Sequence, residues 1–127
     1  MTKGQRKACK NLIEALRSGK YRKTEGSLCR GKLDDVSYCY CVQGLAYRLI
    51  GYEENNQLGL ELKKRDKLAV AIPYADGFGL AKSSLELIAS YGLSRFEWVV
   101  LLNLNDRPGT TFNDVANKLE EIVNSHV

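Results

Sequence analysis

The residue types best suited to binding chemistry lie in segment 18–35, SGKYRKTEGSLCRGKLDD. It holds three glycines and five lysines or arginines without a sustained hydrophobic period, which predicts a long loop with at most one short strand near 27–30. An aromatic ring among cations suits a phosphate backbone with a base to stack on. The alternative is a solvated loop whose tyrosine packs on the domain. The predicted anion or nucleic-acid site comprises Lys20, Tyr21, Arg22, Lys23, Arg30 and Lys32.

A second group of candidate residues follows a predicted strand. Segment 74–84, YADGFGLAKSS, offers a strand end, a glycine-bearing loop and a helix start, the order in which backbone N–H groups cradle phosphate. It lacks the third glycine of the dinucleotide fingerprint and the spacing of a P-loop, so a plain turn with an exposed Phe78 is the alternative. The candidate phosphate loop comprises Gly77, Gly79, Lys82 and Ser83.

The polar tip Asn105-Asp106-Arg107 is the third candidate and falls in a predicted loop over 103–110. Lining a cleft, its amide, carboxylate and guanidinium could serve a small enzyme. Asn and Asp side chains also hydrogen-bond nearby backbone and hold turns, which is the structural alternative. Arg107 could also extend the basic site of segment 18–35.

Nucleophilic and metal chemistry lack their usual partners in this chain. Among the four cysteines, Cys39 and Cys41 have C-x-C spacing rather than the C-x-x-C of common zinc sites. The single histidine, His126, lies in a stretch expected to fray, so no base is placed beside a thiol or hydroxyl. We therefore predict reduced, inert and buried cysteines, no catalytic residue, no metal and no cofactor.

Composition limits the class of protein. A chain of 127 residues with 44% hydrophobic and 27% charged residues predicts one globular domain, 1–127. Segment 1–35 holds ten Lys/Arg and four Asp/Glu, a net charge of +6, whereas 36–127 has −2. This asymmetry would suit an anionic partner. No apolar run reaches the roughly 18 residues of a membrane span and no signal-peptide pattern is present, so we expect a cytoplasmic protein without membrane association.

Hydrophobic spacing predicts two helices in the first half of the chain. One covers 5–18 and the other 36–50, the latter capped by Asp34 or Asp35. Alternation over 36–42 makes a strand the competing interpretation. The expected buried stripe of the first helix is Ala8, Leu12, Ile13 and Leu16.

The middle of the chain changes from helical to alternating spacing. Segments 58–62 and 68–72 alternate around a polar turn at 63–66, which predicts an antiparallel β-hairpin within 57–73.

Capping patterns predict the helices of the last third. Ser94 with Glu97 and Thr111 with Asp114 resemble capping boxes for helices over 96–103 and 112–123, after a short helix over 84–91. Residues 98–102 individually favour strands. The predicted fold class is α+β, with four to five helices packed on a small antiparallel β-hairpin or sheet.

Several anchor residues resemble a known group of proteins. They are ALRSGKY at 15–21, a Tyr-Cys-containing helix, Leu104-Asn105-Asp106, and the later Phe112, Val115 and Ala116. Their order is similar to that in a widespread group of small phage and mobile-element proteins of unassigned function. The chain departs from that pattern at Cys39-Tyr40-Cys41, where the second cysteine of an adjacent pair is displaced, and in its hairpin. The resemblance implies an accessory role, such as modulating host machinery or defence, and implies no catalytic residues.

Three functional hypotheses remain open at this point. The first is a non-enzymatic accessory protein of phage or mobile-element origin that binds a host macromolecule, in first place a host protein, in the host cytosol. The second is a binder of nucleic acid or a phosphorylated nucleotide through segment 18–35. The third is a small enzyme that uses the tip 105–107.

Overall fold

The computed structural model describes residues 1–24, 29–32, 35–54, 62–65, 67–69 and 84–126. Within these residues the chain has an α+β fold of five helices and two three-stranded sheets. No described helix is long and apolar enough to cross a membrane. The helices are α1 (Lys3–Arg17), α2 (Val42–Leu49), α3 (Ser84–Tyr91), α4 (Arg95–Asp106) and α5 (Phe112–Ser125). The strands are β1 (Arg22–Lys23), β2 (Cys29–Lys32), β3 (Asp35–Tyr40), β4 (Glu53–Glu54), β5 (Leu62–Lys64) and β6 (Lys67–Ala69).

The predicted first helix is confirmed, with a start two residues earlier. Thr2 forms a capping box with Gln5, in which Thr2 Oγ1 accepts the Gln5 N–H at 3.1 Å and Gln5 Oε1 accepts the Thr2 N–H at 2.8 Å. One face is buried, mainly against α5 and α3, and the lysines and arginines lie on the exposed face. Ala8, predicted on the stripe, is half-buried, and the buried stripe is Cys9, Leu12, Ile13 and Leu16.

The predicted helix over 36–50 is wrong in its first half, where the structure has β3. The competing strand interpretation is correct there, because β3 lies between β1 and β2 and pairs with both. Two hydrogen-bonded ladders satisfy its backbone groups, which outweighs the helical spacing of its side chains. α2 begins only after Cys41, whose Sγ accepts the Gly44 N–H at 3.3 Å. Cys41 is therefore the cap, in place of the predicted Asp34 or Asp35.

The first sheet has strand order β1-β3-β2 and is mixed. β2 runs antiparallel to β3, and β1 runs parallel to it with Arg22 opposite Cys39. The prediction of a purely antiparallel sheet is therefore wrong here. β2 and β3 are consecutive in the chain and pair as antiparallel neighbours, which leaves the other edge of β3 for the segment that follows α1. The predicted loop over 18–35 thus contains two strands.

The second sheet, β4-β5-β6, is antiparallel and contains the predicted hairpin. Its turn is shorter than predicted, because Lys63 and Lys64 belong to β5. Arg65 has a φ of 56°, the left-handed conformation that a tight two-residue hairpin loop requires. The predicted outer strand segments 58–61 and 70–72 lie outside the described residues.

The predicted helix over 84–91 is confirmed by α3. Gly92 follows it with a φ of 70°. A Cβ atom at Gly92 would lie 2.7 Å from Gln5 Oε1 and would displace the Gln5 side chain, and the positive φ itself favours glycine.

Both predicted capping boxes are formed. Ser94 Oγ accepts the Glu97 N–H at 3.1 Å, and Thr111 Oγ1 accepts the Asp114 N–H at 3.2 Å. α4 is helical as predicted but runs on to Asp106, so residues 104–106 form its last turn rather than a loop. Favourable helical spacing of its buried side chains prevails over their individual strand preference.

The buried apolar side chains of the described residues form one cluster, to which all five helices contribute. Trp98 of α4 is fully buried in this cluster and packs edge-on against Tyr91, with ring centroids 5.6 Å apart. Tyr47 and Tyr52 form a second edge-on pair at 4.9 Å. Each large apolar side chain buried in this way contributes roughly 1.5–3 kcal/mol. The cluster holds α4 against α2 and α5 and so fixes the C-terminal end of α4.

Candidate functional site

Asn105 lies in the last turn of α4 and is completely buried. Its Oδ1 accepts the backbone N–H of Val42 at 3.1 Å, at the start of α2. Its Nδ2 donates to the Thr24 carbonyl and to Asp106 Oδ1, both at 3.0 Å. One amide side chain therefore joins the end of β1, the start of α2 and the end of α4. We call this group the Asn105 junction.

Lys23 brings a positive charge to the same junction. Its Nζ donates to the Asn105 carbonyl at 2.6 Å, and the side chain is half-buried. This carbonyl belongs to the helix C-terminus, where the helix dipole favours a cation. Thr110 Oγ1 also donates to the Leu104 carbonyl at 2.7 Å. Two predicted sites, the basic segment and the tip 105–107, thus meet here. Their contact provides a hydrogen-bond donor for a carbonyl at the C-terminal end of α4.

Tyr21, Lys20 and Arg22 differ in their surroundings. Tyr21 is half-buried and packs edge-on against Tyr40, with ring centroids 5.9 Å apart, as in the alternative interpretation of this segment. Lys20 and Arg22 are exposed. Of the six predicted anion-binding residues, the structure therefore places Lys23 and Tyr21 in internal contacts and leaves Lys20 and Arg22 on the surface.

The remaining predicted site residues are placed only in part. Arg30 and Lys32 lie on β2, with Arg30 opposite Cys39 in the ladder. Asp106 and Arg107, at the end of α4, are exposed. The candidate phosphate-loop residues Gly77, Gly79, Lys82 and Ser83 lie outside the described residues.

The two buried thiols, Cys9 and Cys41, are poor nucleophiles, whereas Cys39, also predicted to be buried, is only half-buried. Cys41 is buried beside the Asn105 junction, and burial raises its pKa to about 12 against the opposing effect of the Gly44 N–H. Burial likewise raises the pKa of Cys9 to about 11, and its Sγ donates to the Tyr91 carbonyl at 3.2 Å. Both remain protonated near neutral pH, whereas nucleophilic attack and metal binding require the thiolate. No group of three potential metal ligands occurs in the part of the chain that is described.

The prediction that His126 frays is wrong. Its Nε2 lies 2.7 Å from Glu97 Oε2, and its backbone carbonyl accepts a hydrogen bond from Arg6. Glu97 also completes the capping box of α4, since its Oε1 accepts the N–H of the N-cap residue Ser94 at 2.8 Å. Partial burial would raise the pKa of Glu97, but Ser94 and His126 outweigh it and the pKa is lowered.

A second polar cluster joins the second sheet to α3. Tyr52 Oη donates to Glu86 Oε2 at 2.5 Å, and Lys64 Nζ lies 3.6 Å from Glu86 Oε1. Lys64 Nζ also donates to the Ile50 carbonyl at 2.9 Å. Burial, followed by the Glu86 carboxylate, raises the pKa of Tyr52, so the phenol is held as a donor. The cluster fastens β5 to its neighbours.

Asn105 is one of the predicted candidate residues, but the sequence predicts it in a polar loop rather than in a helix. The available signal was its position four residues after Leu101 and seven after Trp98, on the buried stripe of α4. Nothing in the sequence indicates its partners Thr24 and Val42. The geometry suits rigid packing of three elements. Both buried thiols are hydrogen-bonded to backbone groups, the Tyr91 carbonyl and the Gly44 N–H, rather than to a basic side chain.

Comparisons with protein-family models, with curated protein sequences and with solved structures find no match for this chain.

Proposed function

We propose that the chain is a non-enzymatic accessory protein that binds a host macromolecule, in first place a host protein. The observation that carries the proposal is the exposure of Phe96, whose side chain is 70% exposed on the first turn of α4. The role in modulating host machinery or defence, in the host cytosol, and the origin in a phage or mobile element rest on the resemblance of the anchor residues.

The outward face of α4 carries the aromatic side chain of Phe96 beside a second apolar side chain. Trp98, Leu101 and Asn105 occupy its buried side. Val100, one turn after Phe96, is only partly buried, so the two adjoin on the helix surface. Interface centres are enriched in aromatic residues, and a few such anchors carry most of the binding free energy.

The polar groups of the described residues support a binding role over an enzymatic one. Asn105 uses its amide for packing, and the thiols of Cys9 and Cys41 stay protonated. The enzyme hypothesis then keeps only Asp106 and Arg107 of the predicted tip, and neither buried thiol can serve it as a nucleophile.

Replacement of Phe96 by serine tests this proposal. Tagged wild-type protein is expected to retain a specific host protein, identified from lysate and then purified. Phe96→Ser should weaken binding to that protein by at least about 10-fold, or about 1.4 kcal/mol, as expected for loss of an aromatic anchor. Isothermal titration calorimetry with both purified proteins measures the change.

Leu85→Ser is the matched control, because Leu85 is an apolar side chain of α3 with a similar exposure of 67%. It should bind as the wild type does, and circular dichroism should show all three proteins equally folded. If Phe96→Ser binds the partner as tightly as the wild type, the α4 surface is not the binding site. The same conclusion follows if Phe96→Ser and Leu85→Ser lose the partner equally. Failure of the wild type to retain any specific partner would count against the function itself.

Nucleic-acid or nucleotide binding through segment 18–35 stays as a second candidate, supported by the exposure of Lys20 and Arg22. Internal contacts of Tyr21 and Lys23 leave it with fewer accessible groups than the sequence suggests. Lys20→Gln/Arg22→Gln tests it: a large loss of nucleic-acid affinity is expected if this segment is the site.

A further inference from the structure

The exposed face of α1 carries a row of lysines. Lys3, Lys7 and Lys10 follow one another at spacings of four and three residues, which places them on one side of the helix, and all three are exposed. With a rise of 1.5 Å per residue, the row spans roughly 10 Å. We call it the α1 lysine row.

Lys3, Lys7 and Lys10 form no ion pair with an acidic side chain of the described residues. The first turn of α1 has no acidic residue, although the helix dipole favours acidic side chains there. Neighbouring like charges at these spacings also repel one another. The row therefore weakens α1 and leaves a local positive potential at the surface.

The second half of α1 differs, because carboxylates balance its charge. Arg17 forms an ion pair with Glu120 of α5 at 3.1 Å and a hydrogen bond with Asn117 Oδ1 at 2.9 Å. Glu14 continues the line of the lysines towards Arg17 and is exposed. Lys10 lines one surface pocket together with Glu14 and Glu120, so carboxylates adjoin the row at its Lys10 end.

The chemistry of the α1 lysine row favours phosphate over a protein surface. Protein interfaces have an apolar centre and are depleted in lysine. Between Lys3 and Lys10 the exposed positions are polar, and the apolar Ala8 is half-buried. Contacts to nucleic-acid phosphates are made by lysine and arginine and need no apolar centre.

We propose that the α1 lysine row binds the phosphate backbone of nucleic acid without sequence preference. This goes beyond the proposed protein binding and uses different side chains. It also differs from the site predicted in segment 18–35, because its lysines all belong to α1 and none lies in that segment.

Salt dependence of binding provides the test. Fluorescence anisotropy with a labelled 20-base-pair duplex compares wild type with Lys3→Gln/Lys7→Gln/Lys10→Gln. Each phosphate contact contributes about 0.9 to the slope of log affinity against log salt, so the triple variant should lose about 2–3 from the slope. Three contacts also correspond to roughly a 40-fold loss of wild-type affinity between 50 and 200 mM salt.

Three controls make the outcome decisive. Lys20→Gln/Arg22→Gln and Phe96→Ser should keep the wild-type slope. Lys7→Arg should also keep it, because the charge is retained, and circular dichroism should show that the triple variant keeps its helices.

Several results would overturn the inference. In the first, the wild type does not bind the duplex at 50 mM salt. In the second, Lys20→Gln/Arg22→Gln loses binding while the triple variant keeps it. In the third, the triple substitution leaves the salt slope unchanged. Equal affinity for a polyglutamate peptide of the same charge would assign the row to an acidic protein instead. If the triple variant fails to fold, Lys7→Glu against Lys7→Arg gives the same comparison at one position.

Discussion

Asn105 joins three parts of the chain through one side chain, and its replacement tests that structural role. Asn105→Leu keeps a buried side chain of similar size but leaves the Val42 N–H and the Thr24 carbonyl without their partner. We expect the free energy of unfolding to fall by about 2–4 kcal/mol, because each buried polar group left unsatisfied costs about 1–3 kcal/mol. Urea denaturation monitored by circular dichroism measures the loss.

Asn103→Leu is the matched control on the same helix, since Asn103 is exposed. Its effect should stay within about 0.5 kcal/mol, as for most surface substitutions. An Asn105→Leu protein as stable as the wild type would contradict the junction and would return Asn105 to the functional candidates.

Residue-scale patterns could predict the type of role but not the partners. The interpretation of Asn105 as a residue that holds backbone groups follows from its short amide side chain. Its partners Val42 and Thr24 lie 63 and 81 positions away in the chain, and no local spacing connects such residues. The same limit applies to Lys23. The sequence predicts that its charge binds a ligand, whereas in the structure its Nζ donates to the Asn105 carbonyl at the end of α4.

Helix starts are the elements that local sequence predicted best, with one exception. The capping boxes at Ser94 and Thr111 need only four consecutive residues, and both are formed. α2 is the exception, because β3 takes the residues in front of it into a sheet. Pairing with β1 and β2 depends on contacts outside the segment, so spacing alone could not decide between helix and strand.

Cys41 tests this revised boundary. Cys41→Ala removes the sulfur acceptor of the Gly44 N–H at the buried start of α2. The unfolding free energy should fall by about 1 kcal/mol or more, the usual effect of losing an N-cap. Cys41→Ser keeps an acceptor and should be less destabilised; thermal denaturation compares the two variants.

Cys9→Ala provides a reference, because Cys9 is also buried but lies inside α1 and is not an N-cap; its Sγ instead donates to the Tyr91 carbonyl at the end of α3. If Cys41→Ala and Cys41→Ser lose the same stability, the cap would not be the reason for the loss.

At the scale of the whole molecule, α1, α4 and α5 meet through polar contacts at the end of α5. Arg6 of α1 donates to the carbonyl of His126, and His126 pairs with Glu97 of α4. Sequence analysis identified these helices and their stripes but not this contact, because Arg6 and His126 are 120 positions apart. The apolar stripes predict only that the helices pack together. Which polar groups meet at the helix ends depends on how the helices are arranged after packing.

Glu97 gives this three-helix contact a dependence on pH. Its pKa in the folded protein is lowered, with the Ser94 N–H and His126 outweighing the effect of burial. The carboxylate therefore stabilises the fold above its unfolded pKa of about 4.3, and this contribution disappears as the pH falls through the folded value. Glu97→Gln keeps a side chain that can complete the capping box but cannot ionise. Wild type should be more stable than Glu97→Gln at pH 6, and the difference should shrink towards pH 3, as measured by urea denaturation at each pH.

Glu120→Gln, which removes a more exposed carboxylate paired with Arg17, should change stability little at either pH. A difference between wild type and Glu97→Gln that stayed constant from pH 6 to pH 3 would mean that the charge of Glu97 does not hold the three helices together.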